Sequence, residues 1–169
     1  AFLMGKRAGG DNAPFLSTRV FKADPSTKSG YVQRKDGSID RFEYADLSFQ
    51  RTHDDAIAFG RGLVSMGLKT GSNVSIFAPN SPEWVVFALG LYTQDMCIVP
   101  IYPTLGPDSV EFVIDLTQTD CIAVSQDSIP KLTKAMAKRP EIGQIIRKIV
   151  VFDNAYDDVF GDITKVDPA

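Results

Sequence analysis

The sequence has one histidine, two cysteines and one tryptophan in 169 residues. A single histidine, His53, cannot build a multi-histidine metal site. No spacing pairs it with a nucleophilic serine, and it reads as a packed or surface side chain on a helical stripe. Cys97 and Cys121 show no CxxC spacing, which excludes a zinc knuckle and a dithiol redox centre. Both fall in apolar runs and are expected to be buried free thiols of a reducing compartment. Basic residues are in the minority: 18 Lys and Arg stand against 21 Asp and Glu, a net charge of −3. A nucleic-acid binder needs a basic face, so that class is excluded. The longest uncharged apolar run, residues 84–93, is far too short to cross a bilayer. Ala1-Phe2-Leu3-Met4 lacks the layout of a signal peptide.

Familiar site motifs are missing as well. Gly60-Arg61-Gly62 continues to Ser65, so a dinucleotide fingerprint lacks its third glycine, and it lies inside a helical pattern instead of after a strand. Gly62 and Gly67 have Walker-A spacing, but Leu68 sits where the phosphate-binding lysine belongs. Residues 153–162 are acidic without the alternating oxygen ligands and final Glu of a calcium loop. Asn73-Val74-Ser75 is a glycosylation sequon inside an expected core strand and is discounted. Asp54-Asp55 sits mid-helix, where the acid pair of a phospho-accepting domain would end a strand. Trp84 lies in an apolar helix and reads as core. These readings leave no catalytic residue and no metal site.

What is present is ordinary for a folded domain, with 44% apolar and 23% charged residues. The chain is organised around residues 73–104, which read as strand, turn, helix, turn, strand. Residues 74–78 are a short β-rich run broken at Pro79-Asn80. Ser81-Pro82-Glu83 then starts a helix. Serine can cap orphan amides, proline at the first position lacks a donor that would be orphaned anyway, and glutamate suits the positive end of the helix dipole. Residues 84–92 are apolar almost all round, so this helix should be buried on more than one side. Residues 97–101 are a second apolar run. A unit of this kind with fully apolar strands predicts a parallel sheet covered on both faces.

Taken in order, residues 1–14 are Gly-rich and basic and are expected to be an irregular lead-in. Residues 15–21 can form a strand and 23–30 a loop. Residues 31–34 and 39–44 flank Asp36-Gly37, the strongest hairpin signal in the chain. A long helix is expected over 45–67, with Ala56, Ile57, Leu63 and Val64 inward, His53 and Gly60 on the same stripe, and Gly67 just past its end. A helix over 107–117, a strand over 121–124, a helix over 129–138 and a strand over 149–152 follow. In the helix over 129–138, Leu132, Ala135 and Met136 point inward and Lys131, Lys134 and Lys138 outward. The whole predicts an α/β fold, a mostly parallel sheet with helices on both faces, plus a small antiparallel hairpin near the N-terminus. Its expected parts are a lead-in and hairpin over 1–44, a βα-repeat core over 45–153 and an irregular acidic tail over 154–169.

The order of these segments goes further than any one of them. Phe42-Glu43-Tyr44-Ala45-Asp46-Leu47, the run from Gly62 through Gly67 to Gly71, and Val74-Ser75-Ile76-Phe77-Ala78-Pro79-Asn80-Ser81-Pro82-Glu83-Trp84 come in sequence. Then come Ile98-Val99-Pro100-Ile101-Tyr102-Pro103-Thr104-Leu105-Gly106 and Ile149-Val150-Val151-Phe152-Asp153. Together they resemble the N-terminal region of the long-chain fatty-acid–CoA ligases, in the adenylate-forming (AMP-binding) superfamily. The likeness covers residues 44–152, but only the first part of the family's much longer chain.

The resemblance implies a ligase that activates a fatty acid with ATP to the acyl-adenylate and passes the acyl group to CoA, with Mg2+ offsetting phosphate charge. The family's Ser/Thr/Gly-rich ATP loop is absent here. So are its later acidic residues and its C-terminal-domain lysine. They are expected beyond Ala169, and the piece by itself is expected to be inactive. By the same resemblance, Lys131 and Lys134 would approach the nucleotide of CoA. Tyr102, Pro103 and Thr104 follow a strand's C-terminal end, where α/β sites form, and are expected to wall the substrate site. It further implies an intracellular protein at a membrane surface such as endoplasmic reticulum, peroxisome or lipid droplet, and a homodimer. Two other readings stay open. One is a ligase for a medium-chain or aryl acid. The other is a non-catalytic truncated homologue that acts as an interaction domain.

Overall fold

The computed structural model describes residues 2–21, 32–33, 39–40, 42–106, 108–152 and 155–156. The chain divides into two compact units, residues 1–52 with 156–169, and residues 53–155.

In the first unit the lead-in is not irregular. Residues Phe2–Gly9 form helix α1, which ends at Gly10 with a positive φ of 88°, and Gly10 N–H donates to the Lys6 carbonyl at 2.9 Å. The helix is held by tertiary contact, which local composition does not reveal. The Phe2 ring meets Phe15 edge-on at 4.7 Å and lies 5.5 Å from Phe49. Strand β1 (Pro14–Phe21) follows, then β2 (Val32–Gln33), β3 (Ile39–Asp40) and β4 (Phe42–Ser48). β2 and β3 pair antiparallel, as the hairpin signal predicts, while the turn over 34–38 lies outside the described residues. The run expected as one strand over 39–44 is divided. Its second part belongs to β4, which pairs antiparallel with β1, Leu16 opposite Leu47 and Thr18 opposite Ala45.

That pairing also corrects the start of the long helix. Residues 45–48 are strand, and helix α2 spans Phe49–Ser65. The Ser48 hydroxyl accepts the Arg51 amide at 3.1 Å, as a cap does. At its far end α2 closes as expected. Gly67 has φ +89°, its N–H donates to the Val64 carbonyl, and Leu68 N–H donates to the Leu63 carbonyl. This is a Schellman closure, with Leu63 and Leu68 buried in one cluster. Val64, expected inward, is 46% exposed.

The second unit is the α/β layer structure. Strands β5 (Asn73–Phe77), β6 (Cys97–Pro100), β7 (Cys121–Ser125) and β8 (Lys148–Phe152) form one parallel sheet in the order β6-β5-β7-β8. Between them run α3 (Pro82–Tyr92), α4 (Ser109–Thr117), α5 (Ile129–Lys138) and the short α6 (Ile142–Ile145), which the sequence reading did not anticipate. Side chains alternate across the sheet. Val74, Ile76, Cys121 and Ala123 pack with Leu63, Leu68, Phe87 and Leu91 of the α2 and α3 side. Phe77, Ile122 and Val124 pack with Val110, Ile114, Leu132, Ala135 and Ile142 of α4, α5 and α6. Helices therefore cover both faces.

Coverage stops at the sheet's margins. Among the described residues β6 pairs with β5 alone, and Cys97 is exposed, contrary to the buried thiol expected from its apolar neighbours. On β8, Ile149 and Val151 are 49% and 45% exposed. Helix α3 is capped as its sequence foretells, with the Ser81 hydroxyl accepting the Trp84 amide at 3.2 Å and Pro82 opening the first turn. It crosses α2 at two glycines. A Cβ on Gly60 would lie 2.7 Å from the Gly90 carbonyl, and one on Gly90 would lie 3.0 Å from the Ala56 carbonyl. No described helix is long and apolar enough to cross a membrane.

Candidate functional site

Parallel strands leave their carboxyl ends, and the loops that follow them, on one edge of the sheet, where α/β sites form. On that edge of the second unit lies a cavity of about 540 Å³. Phe77, the last residue of β5, lines it. The loop after β6 supplies Tyr102, Pro103, Leu105 and Gly106. The start of α4 supplies Asp108, Val110 and Glu111, and α5 supplies Lys131, Lys134, Ala135 and Lys138. The three lysines are spaced by three and four residues, so one helical face presents them all while Leu132 on the other side enters the core.

Each lysine is held differently. Lys131 Nζ donates to the Pro103 carbonyl at 2.9 Å, reaching from helix to loop. Lys138 Nζ pairs with Asp108 and lies 3.5 Å from Glu111 Oε1. The hydrogen bond to Asp108 first, and the charges of Asp108 and Glu111 after it, raise the Lys138 pKa above its ordinary value. Glu111 is only 3% exposed, so Lys138 is the cation that makes its burial tolerable. Lys134 has no hydrogen-bond or ion-pair partner among the described residues. Among the described residues that line it, three lysines against two carboxylates give one net positive charge beside an aromatic and aliphatic wall. The arrangement suits an anionic group attached to a flat or apolar body.

Of the residues singled out from sequence, the structure brings Lys131, Lys134, Tyr102 and Pro103 into this one cavity, and Thr104 is not among its lining residues. Sequence reasoning missed Asp108, Glu111 and Lys138 as site residues. The signal for Lys138 was its place on the same stripe as Lys131 and Lys134. The burial of Glu111 had no local signal. His53 Nδ1 lies 3.1 Å from Asp54 Oδ1, and His53 does not line the cavity. Asn73 of the discounted sequon donates to the Thr117 carbonyl at 2.7 Å. Trp84 packs against the core on the α2 and α3 side. Among the described residues no three His, Cys, Asp or Glu side chains converge as a metal site.

Comparison with known proteins gives these features a family. Residues 28–162 match the AMP-binding enzyme family. The chain is 30% identical over 140 residues to a probable CoA ligase, CCL6, of Humulus lupulus, covering 83% of this chain and 20% of that protein. It is 32% identical over 124 residues to long-chain-fatty-acid–CoA ligase 6 of Rattus norvegicus, covering 72% of this chain and 18% of the relative. The chain thus spans about a fifth of the length of these curated relatives. The adenylation domain of a carboxylate reductase from Mycobacterium chelonae has the same fold over 90% of this chain and 22% of its own, with a TM-score of 0.67 at 15% identity. With a parallel sheet, helices on both faces and a match across most of its length, the chain belongs to the AMP-binding enzyme family.

Proposed function

We propose that this chain is a segment of a long-chain fatty-acid–CoA ligase, with residues 45–153 forming the βα core of its N-terminal AMP-binding domain. The observation that carries the reading is the match of 72–83% of the chain to relatives whose names are CoA ligases. The reaction is acid–thiol ligation. A fatty-acid carboxylate attacks the α-phosphate of ATP, pyrophosphate leaves, and the thiolate of CoA then displaces AMP to form the thioester. Activation is needed because a carboxylate oxygen is a poor leaving group until it carries the adenylate.

This chain's own contribution is the cavity. Lys131 and Lys134 stand on one wall, where phosphate groups of the CoA nucleotide would meet uncompensated ammonium charge. Tyr102, Pro103 and Leu105 offer the facing apolar wall. Such contacts weaken with salt, because the lysines are exposed. Association with a membrane surface of endoplasmic reticulum, peroxisome or lipid droplet, and a homodimer, belong to the same proposal.

The test is ATP-dependent acyl-CoA formation by the longest natural product that contains this chain. Palmitate, octanoate and benzoate would be offered in parallel. Thioester formed fastest from palmitate supports the reading, and preference for octanoate or benzoate moves it to a ligase for another acid. Absence of thioester from all three, with co-purification of a complete ligase, would turn the assignment to a non-catalytic interaction domain.

A further inference from the structure

The three lysines of the cavity are in three electrostatic states. Lys138 is compensated by two carboxylates. Lys134 faces the cavity without a partner among the described residues. Lys131 is bound, but to a neutral group, the Pro103 carbonyl at 2.9 Å, 28 positions away in the chain.

That bond has a mechanical meaning. The loop over 102–106 is anchored at its entry by Ile101 N–H on the Ile76 carbonyl, and at its exit by Ser109, whose N–H and hydroxyl both donate to the Gly106 carbonyl. Between these anchors the Leu105 N–H closes a local turn on the Tyr102 carbonyl. Proline at 103 has no amide hydrogen to add. The Lys131 ammonium ties the middle of this segment across to α5. The wall carrying Tyr102 and Leu105, both exposed, is therefore set from the opposite side of the cavity.

We propose that the two lysines of that reading divide the work: Lys134 keeps the anion contact already assigned to it, and Lys131 acts instead as a positioning residue that holds the 102–106 wall through the Pro103 carbonyl. The identity of the anion rests on the CoA reading above, and the tie between Lys131 and the loop does not.

The test uses the longest natural product that contains this chain and its Lys131→Gln, Lys131→Arg and Lys134→Gln variants. Adenosine 3′,5′-bisphosphate serves as the charged probe and adenosine as the neutral one, each titrated by calorimetry at two salt concentrations. Amide hydrogen exchange is read without ligand at Leu105, with Val124 of β7 as a control for the fold. Lys131→Gln speeds exchange at Leu105 about tenfold while Val124 is unchanged, and Lys131→Arg restores the original rate. The same Lys131→Gln change weakens both probes by a similar factor and keeps the salt dependence. Lys134→Gln leaves Leu105 exchange alone, weakens the bisphosphate about tenfold, flattens its salt dependence and spares adenosine. Unchanged exchange at Leu105 in Lys131→Gln overturns the positioning role. So does a Lys131→Gln variant that flattens the salt dependence and spares adenosine. If the unaltered product binds neither probe, the CoA reading and the Lys134 contact both fall, and Leu105 exchange alone decides the role of Lys131.

Discussion

The two cysteines show how far a residue's chemistry depends on where its strand lies in the sheet. β7 is central, and Cys121 on it is fully buried. Burial first, and the Asp120 charge to a smaller degree, push its thiol up to about 11 against the pull of Lys148. β6 is at the margin, and Cys97 is exposed. Iodoacetamide at pH 8 should therefore modify Cys97 in the native protein and reach Cys121 only in urea, as read by mass spectrometry of peptides. Equal labelling of both in the native state would contradict the sheet order. Gly60 gives the second prediction at this scale. A Cβ there would come within 2.5 Å of Thr93 Oγ1 and 2.7 Å of the Gly90 carbonyl, and the carbonyl is backbone that cannot swing away. Gly60→Ala should lower stability by about 1–3 kcal/mol in urea unfolding. An unchanged midpoint would mean that α2 and α3 do not approach as described.

At the scale of the element, helix ends were the most legible features and strand boundaries the least. Ser81-Pro82-Glu83 announced the start of α3 and Gly67 the end of α2, because capping uses residues adjacent in sequence. The start of α2 was misplaced by four residues because Ala45 to Ser48 are strand only by virtue of β1, which lies almost thirty residues earlier. The junction of α5 and α6 carries a pH prediction. Arg139 Nε donates to Glu141 Oε1 at 2.8 Å and lies near Asp115, joining the end of α5, the start of α6 and α4. The Arg139 hydrogen bond first, and the Glu141 backbone amide next, hold Glu141 below its ordinary value of 4.5. A depressed carboxyl stabilises the fold above its unfolded value, and that contribution is lost as pH falls through the folded one. Glu141→Gln should therefore leave the thermal midpoint nearly unchanged at pH 3. At pH 7 it should lower the midpoint slightly, by an amount that shrinks in high salt, since the pair is exposed. A midpoint that falls more at pH 3 than at pH 7 would refute this sign.

At the scale of the whole molecule, the four-stranded sheet of the second unit has a central pair of buried strands, β5 and β7, and β6 and β8 as its outer strands. Among the described residues strand β8 pairs on one side alone, and its Ile149 and Val151 are each nearly half exposed. Such an edge invites pairing with another chain. The 169-residue chain should self-associate with rising concentration in sedimentation experiments. Val151→Lys should reduce that association without lowering the urea midpoint, since the side chain is outside the core. Association unaffected by Val151→Lys would place the sticky surface elsewhere, and the exposed Phe112 and Leu116 on α4 are the next surface to alter.

What the sequence determined by itself is what depends on period and adjacency. Apolar runs of strand length, a capped apolar helix and turn residues between them were enough for a parallel α/β sheet with helices on both faces. The order of those segments was enough for the family. Lys131, Lys134 and Lys138 were visible as one stripe because i, i+3 and i+7 share a helix face whatever the fold. Tertiary structure alone decided the rest. It brought Tyr102 and Pro103 across from α5, left Thr104 out of the cavity's lining, buried Glu111 against Lys138, made α1 a helix through Phe15 and Phe49, and put β6 rather than β7 at the margin. Each of these is set by a partner tens of residues away. Burial and charge compensation are properties of such partners, and no local window of the chain contains them.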